Sequence, residues 1–198
     1  MMQPKDFDRP VKIILMSTSL GDAYLSSAIK RSATYKALGD ATFTQLEDKD
    51  FFYSPNDASN SIAVIIQHMS GNMLSRWTNF LTEDGEKAGR NRETEFSPQP
   101  QDRAQLIDQW ERGWSCFLGT LQSLTAEDLL RTIHIRHEPL LAIDAINRQL
   151  AHYPHHVGQI VYIGKIIRGN DWQSLSIPRG GSDQFNHQMK DRHQGQGH

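Results

Sequence analysis

Residues 151–160 read "AHYPHHVGQI": His152, His155 and His156 lie close together, with Pro154 among them and Gly158-Gln159 directly after. Imidazoles at i and i+4 of a helix sit on one face, so His152 and His156 can converge on a single ion. His155 points about 100° away from His156 on a 3.6-residue helix and does not share that ion with His152. One helix thus supplies two ligands, and a stable site needs a third. His68, in "AVIIQHMSGNML", sits at the edge of an apolar arc, one turn after Ile65 and one before Asn72. Edge positions on neighbouring helices point into the seam between them, where three imidazoles can meet. Such a site leaves a divalent charge uncompensated and at least one coordination position open. It can lower the pKa of bound water toward about 7, or hold a thiol deprotonated. The plain alternative is structural: a lone histidine on an apolar face is commonly a hydrogen-bonded core residue, and exposed i,i+4 pairs arise by chance. His134, His137, His187, His193 and His198 read as surface residues.

These side chains must be carried by long helices. Ser19-x-x-Asp22 is a start signal, and Leu20, Tyr24, Ala28, Tyr35, Leu38, Thr42 and Leu46 continue a helical period to about residue 47. A second helix starts at Asn60-Ser61 with a stripe from Ile62 through Met69, Met73 and Trp77 to Leu81. A polar, Pro-containing connection, "AGRNRETEFSPQPQ", is longer than most bundle links and reads as having a role of its own. Asp102 caps a third helix marked by Leu106, Trp110, Trp114, Phe117 and Leu121. "RTIHIRHEP" then alternates as a strand does. The fourth helix spans 140–167, about 42 Å at 1.5 Å per residue, and Gly169-Asn170 stop it. Pro154 inside it removes one hydrogen bond, at roughly 3 kcal/mol in a plain helix. From Trp172 onward the chain reads as irregular. The fold class is therefore all-α: a four-helix bundle with a short β excursion before the fourth long helix.

Composition narrows the function. Over 198 residues, 21 Lys+Arg against 23 Asp+Glu give a net charge of −2, without the basic excess of a nucleic-acid binder. A single cysteine, Cys116, excludes an internal disulfide and a Cys-rich zinc site; it reads as a small core residue. No run reaches the ~18–20 apolar residues of a membrane span, and "VKIILM" is too short and too charged for a signal core, so the expected location is cytoplasmic. Met16 opens a clean helix start, so residues 1–16 read as an extension or an upstream start. The bundle is expected over 17–187, with a polar tail over 188–198.

His152-x-x-x-His156-x-Gly158-Gln159-Ile160, with a histidine in the second helix, resembles the DinB/YfiT-like superfamily of metalloenzymes. Within it, "NSIAVIIQHMSGNM", "RWTNFLTEDGEK", "RNRETEF", "HYPHHVGQIVYIGK" and "SIPRGGSDQFN" resemble one uncharacterised bacterial family, together covering roughly residues 17–187. The resemblance implies a four-helix bundle of that superfamily's helix order, commonly a homodimer, holding a divalent metal on His68, His152 and His156. Imidazole suits zinc, nickel, copper and iron alike; the resemblance points to nickel or zinc, with iron or manganese after them. It also implies a thiol-dependent transferase acting on a small-molecule substrate, with a low-molecular-weight thiol as cosubstrate. A hydrolase using metal-bound hydroxide and a non-catalytic, stress-associated metal binder remain the alternatives. Gln149 and Gln159, at helical steps from the pair, and Asn72, four residues after His68, are expected to orient the ligands. Gly158 is expected to permit close helix approach. Arg90, Arg92, Glu93, Arg136 and Glu138 are expected at a pocket mouth, and Arg179 of "SIPRGG" against an anionic group of the substrate. Trp172 is a candidate dimer contact.

Overall fold

Among the described residues, three of the four longest helices begin where a side chain satisfies free amides. A computed structural model of the chain describes residues 19–97 and 99–193. Ser19 and Asp22 form a capping box at the start of α1 (Leu20–Phe43), Ser61 caps α2 (Ile62–Trp77), and Asp102 with Gln105 form a second box on α4 (Arg103–Ser123). The long connection before α4 holds a short helix, α3 (Arg92–Glu95), whose first amides are taken up by the Asn91 side chain. Strands β1 (Thr132–Ile135) and β2 (Glu138–Leu141) make a two-residue antiparallel hairpin. α5 (Ala142–Arg168) runs unbroken through Pro154, and Gly169, at φ +53°, ends it.

Two helices are shorter than their apolar periods. α1 stops at Phe43, yet Leu46 stays buried because the chain turns into a 3-10 segment over Asp48–Phe52. α2 stops at Trp77 because Asn79 adopts a left-handed conformation (φ +51°) that cannot continue a right-handed helix; Phe80 still reaches the core. The stretch after Trp172 is not irregular throughout. α6 (Ser182–His193) follows Gly180, which is at φ +80°, and crosses the expected start of the tail at residue 188. It escapes a periodicity reading because it has no apolar stripe. The expected extension over 1–16 and the final residues 194–198 lie outside the described residues.

α2 packs along α4 and α1 along α5, with further α1–α4 and α2–α5 contacts closing a shared core. Trp77, Trp110, Trp114, Phe117 and Tyr153 are all but fully buried there. Gly113 of α4 lies against the backbone of Ser70, so α2 and α4 approach closely where any side chain would press on Ser70. Cys116 is partly buried beside Thr78, in keeping with a packing role. Trp172 folds back over Gly164 of α5, where it is half-buried in its own chain. Among the described residues no helix is long and apolar enough to cross a membrane.

The hairpin turn is conformationally demanding. Arg136 and His137 both have positive φ (+54° and +64°), a conformation that costs non-glycine residues energy. Asp84 holds it: its carboxylate accepts the backbone N–H groups of Arg136 (2.9 Å), His137 (2.8 Å) and Glu86 (2.7 Å). Those amides lower its pKa to about 2. A depressed carboxylate pKa contributes stability that is present above its ordinary value and is lost as pH falls through the lowered one. Acid titration of wild type and Asp84→Asn, followed by hairpin chemical shifts, is therefore expected to show a transition between about pH 4 and pH 2 in wild type only.

Candidate metal centre

α2 and α5 lie side by side, and their facing edges bring three imidazoles together. His152 and His156, one turn apart on α5, place their Nε2 atoms 3.0 Å from each other; His68 Nε2 on α2 is 3.4 Å from that of His152. The three residues offer ligand atoms that all lie within 4.8 Å of one another. Two imidazole nitrogens bound about 2.05 Å from one ion lie about 3.3 Å apart at a tetrahedral angle and about 2.9 Å apart at a right angle. The observed separations are close to this range. His155 is exposed and outside the cluster, as its direction on the helix requires.

What lies behind each ring fixes which nitrogen carries the proton. His68 Nδ1 is 3.0 Å from Glu95 Oε2, His152 Nδ1 is 3.0 Å from Gln149 Oε1, and His156 Nδ1 is 2.8 Å from Gln159 Oε1. All three partners are acceptors, so each Nδ1 donates and each Nε2 presents a bare lone pair to the common point. Three lone pairs facing one another repel unless a cation lies between them. Protonation is no substitute: burial, then the neighbouring histidines, push His152 down to about 3, and burial lowers His156 as well. The donor set therefore fits a divalent ion.

Glu95 is the residue that spacing alone misses. Burial by itself would raise its pKa, but hydrogen bonds from His68 and Arg90, together with their charges, outweigh this and lower it. It is thus an ionised acceptor. Arg90 clamps it with two bonds, Nε to Oε1 at 2.7 Å and Nη2 to Oε2 at 2.9 Å. The next residue, Phe96, packs its ring against the imidazole, the two centroids 4.5 Å apart. The connection carrying α3 therefore holds His68 in place through two residues. Room for Glu95 comes from Gly71: a Cβ there would collide with the carboxylate. Gly71→Ala is accordingly expected to push Glu95 off His68 and weaken metal binding by roughly 10–100-fold, the usual cost of losing an outer-shell partner, while circular dichroism stays helical. Competition against a chromogenic chelator measures it.

Of the expected orienting residues, Gln149 lies against His152 and Gln159 against His156. Asn72 is not bonded to His68; it accepts the Tyr153 hydroxyl (3.0 Å), which in turn accepts Trp77 Nε1–H (3.0 Å). It lines a cavity of about 590 Å³ that opens beside His68 and His152 and also meets Arg90, Arg92, Glu93 and Arg136. Glu138, exposed on β2, and Arg179, exposed before α6, do not line it. Gly158 meets nothing within 4 Å of an added Cβ, so it does not serve close helix approach. Among the described residues the cluster holds three potential ligands, and two of them, His68 and His152, border the cavity.

A family model described as "Protein of unknown function (DUF1572)" matches residues 19–181, the greater part of the chain. The chain belongs to that family. No curated protein matches it.

Proposed function

We propose that this member of the family is a metal-dependent enzyme of the DinB/YfiT-like type. In this reading His68, His152 and His156 hold one divalent ion, nickel or zinc foremost, in a four-helix bundle that joins a small thiol to an electrophilic substrate. The observation that carries it is the convergence of three outwardly bonded imidazoles, two of which, His68 and His152, line a cavity. The likeness of His152-x-x-x-His156-x-Gly158-Gln159 to that superfamily supports the same reading.

A divalent ion in such a site supplies positive charge that favours the deprotonated form of a thiol or water beside it. The chain's own residues do the rest. Gln149, Gln159 and the Arg90-clamped Glu95 keep the three rings aimed, and Glu95 returns one negative charge to an otherwise neutral ligand set. The cavity favours a thiol over water as the nucleophile. Among the described residues its one lining carboxylate is Glu93, whose side chain is 90% exposed, while Glu95 is committed to His68 and Arg90. A thiol ionises near pH 8.5 and needs less help from a base than water does. In the reaction the sulfur bonds to the electrophilic carbon, the leaving group departs with its bonding pair, and the thiol proton passes to solvent.

Nickel-loaded protein titrated with small thiols is expected to gain a ligand-to-metal charge-transfer band that His156→Ala lacks. If every thiol leaves the spectrum unchanged while the protein cleaves ester or amide substrates, the enzyme is a hydrolase instead.

A further inference from the structure

Five arginines border the cavity beside the histidines: Arg76, Arg90, Arg92, Arg136 and Arg148. They come from α2, the connection before α4, the hairpin turn and α5, so the fold gathers them from four separate places. Arg76 and Arg90 are nearly buried, with side chains 6% and 5% exposed. Their counter-charges are too few. Glu86 alone serves Arg76 (2.9 Å), Arg136 (2.9 Å) and, at 3.5 Å, Arg90. Glu95 serves Arg90, and Arg92 has the exposed Glu93 at only 3.8 Å. Among the described residues Arg148 makes no ion pair, and Arg90 Nη1 is buried without a hydrogen-bond partner. Five positive charges against Glu86, Glu93 and Glu95 leave an excess of two, before any metal is counted. Concentrating guanidinium groups in a partly desolvated pocket is costly unless an anion completes it.

Position strengthens the case. Arg148 lies one helical turn before His152 on α5, and Arg92 one turn before Phe96, with its guanidinium 4.8 Å from that ring. Arg136 sits in the positive-φ turn that three bonds to Asp84 and Glu86 stabilise, with its Nη groups left over from the Nε–Glu86 contact. These three are the arginines with donors to spare, and planar guanidinium forks suit carboxylate and phosphate oxygens.

We propose that the cavity binds a small molecule with an oxyanion end, a carboxylate or a phosphate, held by Arg92, Arg136 and Arg148 while the rest of the molecule extends toward the three histidines. That this molecule is the substrate rests on the metal-centre reading; the grip on the anion is measurable without it. The volume, about 590 Å³, suits a metabolite-sized ligand.

Calorimetric titration of chelator-treated, metal-free protein with inorganic phosphate, succinate and uncharged succinamide, at a fixed ionic strength, tests this. Phosphate or succinate is expected to bind the wild type, succinamide is not, and Arg136→Gln/Arg148→Gln is expected to weaken the anion at least about tenfold, because two charge-assisted contacts are lost. Tighter binding of phosphate or of succinate names the head group. Equal binding by wild type and the double variant, or no binding of either anion, overturns the proposal. Both substitutions lie on exposed side chains, so unfolding is not expected, and the thermal midpoint verifies it. Metal content, measured in parallel, is expected to be the same in wild type and the double variant. A wild type that grips anions but takes up no metal would sink the metal centre and leave the anion site standing.

Discussion

His156→Ala is expected to bind its divalent ion at least about a hundredfold more weakly than wild type and to remain folded. Binding free energies for structural zinc sites run to roughly 10–16 kcal/mol, so one of three protein ligands accounts for about 3 kcal/mol or more, which is at least a hundredfold in affinity. Of the three proposed ligands, His156 is the best suited to the test. It is half-buried on the surface of a long helix, where alanine is a good helix former, and its Nδ1 bonds only to Gln159. Its removal orphans no buried charge. His155→Ala, one position away with an exposed ring, is expected to leave the affinity unchanged. Elemental analysis after dialysis against a weak chelator separates the three proteins, and equal metal in wild type and His156→Ala would reject the ligand assignment.

Glu95→Ala is expected to harm both stability and metal affinity. The Glu95 and Arg90 side chains are 9% and 5% exposed and share two short bonds. Deleting one member of a buried pair leaves the other charge desolvated, at about 3–5 kcal/mol. For a chain of this size each kcal/mol shifts the melting temperature by about 2–4 °C, so a fall of roughly 10 °C is expected by calorimetry. His68 at the same time loses its acceptor, and with it the preference for presenting Nε2, which is worth a further 10–100-fold in metal affinity. Glu95→Gln separates the two effects. Its amide oxygen still accepts from His68, but the charge opposite Arg90 is gone, so the loss of affinity is expected to be the smaller of the two changes. A Glu95→Ala protein with wild-type melting and wild-type affinity would show that neither contact matters.

The centre was readable in the sequence to the extent that it lies on periodic helices. The i,i+4 spacing places His152 and His156 on one face, the edge of an apolar stripe points to His68, and helical steps point to Gln149 and Gln159, which lie against the two α5 imidazoles. Asn72 marks where spacing misleads: it shares a helix with His68, yet the Tyr153 hydroxyl reaches it from α5 and takes its carboxamide. That competition between helices has no counterpart in a one-dimensional pattern. Glu95 was harder still. It lies 27 residues from His68, in a connection without period, and its pairing depends on the vacancy at Gly71 and on Arg90. The only local hint is that "RNRETEF" crowds charges around a capping Asn91. Glu138 sat close in sequence to the cavity-lining Arg136, but the tight turn between them separates their directions, leaving Arg136 at the cavity and Glu138 in solvent. The helix after Gly180 leaves no trace in the periodicity because a solvated polar helix has no apolar stripe.

The most direct test of the metal centre is X-ray absorption at the edge of the bound metal, on protein loaded with one equivalent of nickel or zinc. Three imidazole nitrogens at about 2.0–2.1 Å, with their number reduced in His156→Ala, are the expected result. An ion surrounded only by oxygen, or an unchanged spectrum in His156→Ala, would contradict a centre built from His68, His152 and His156.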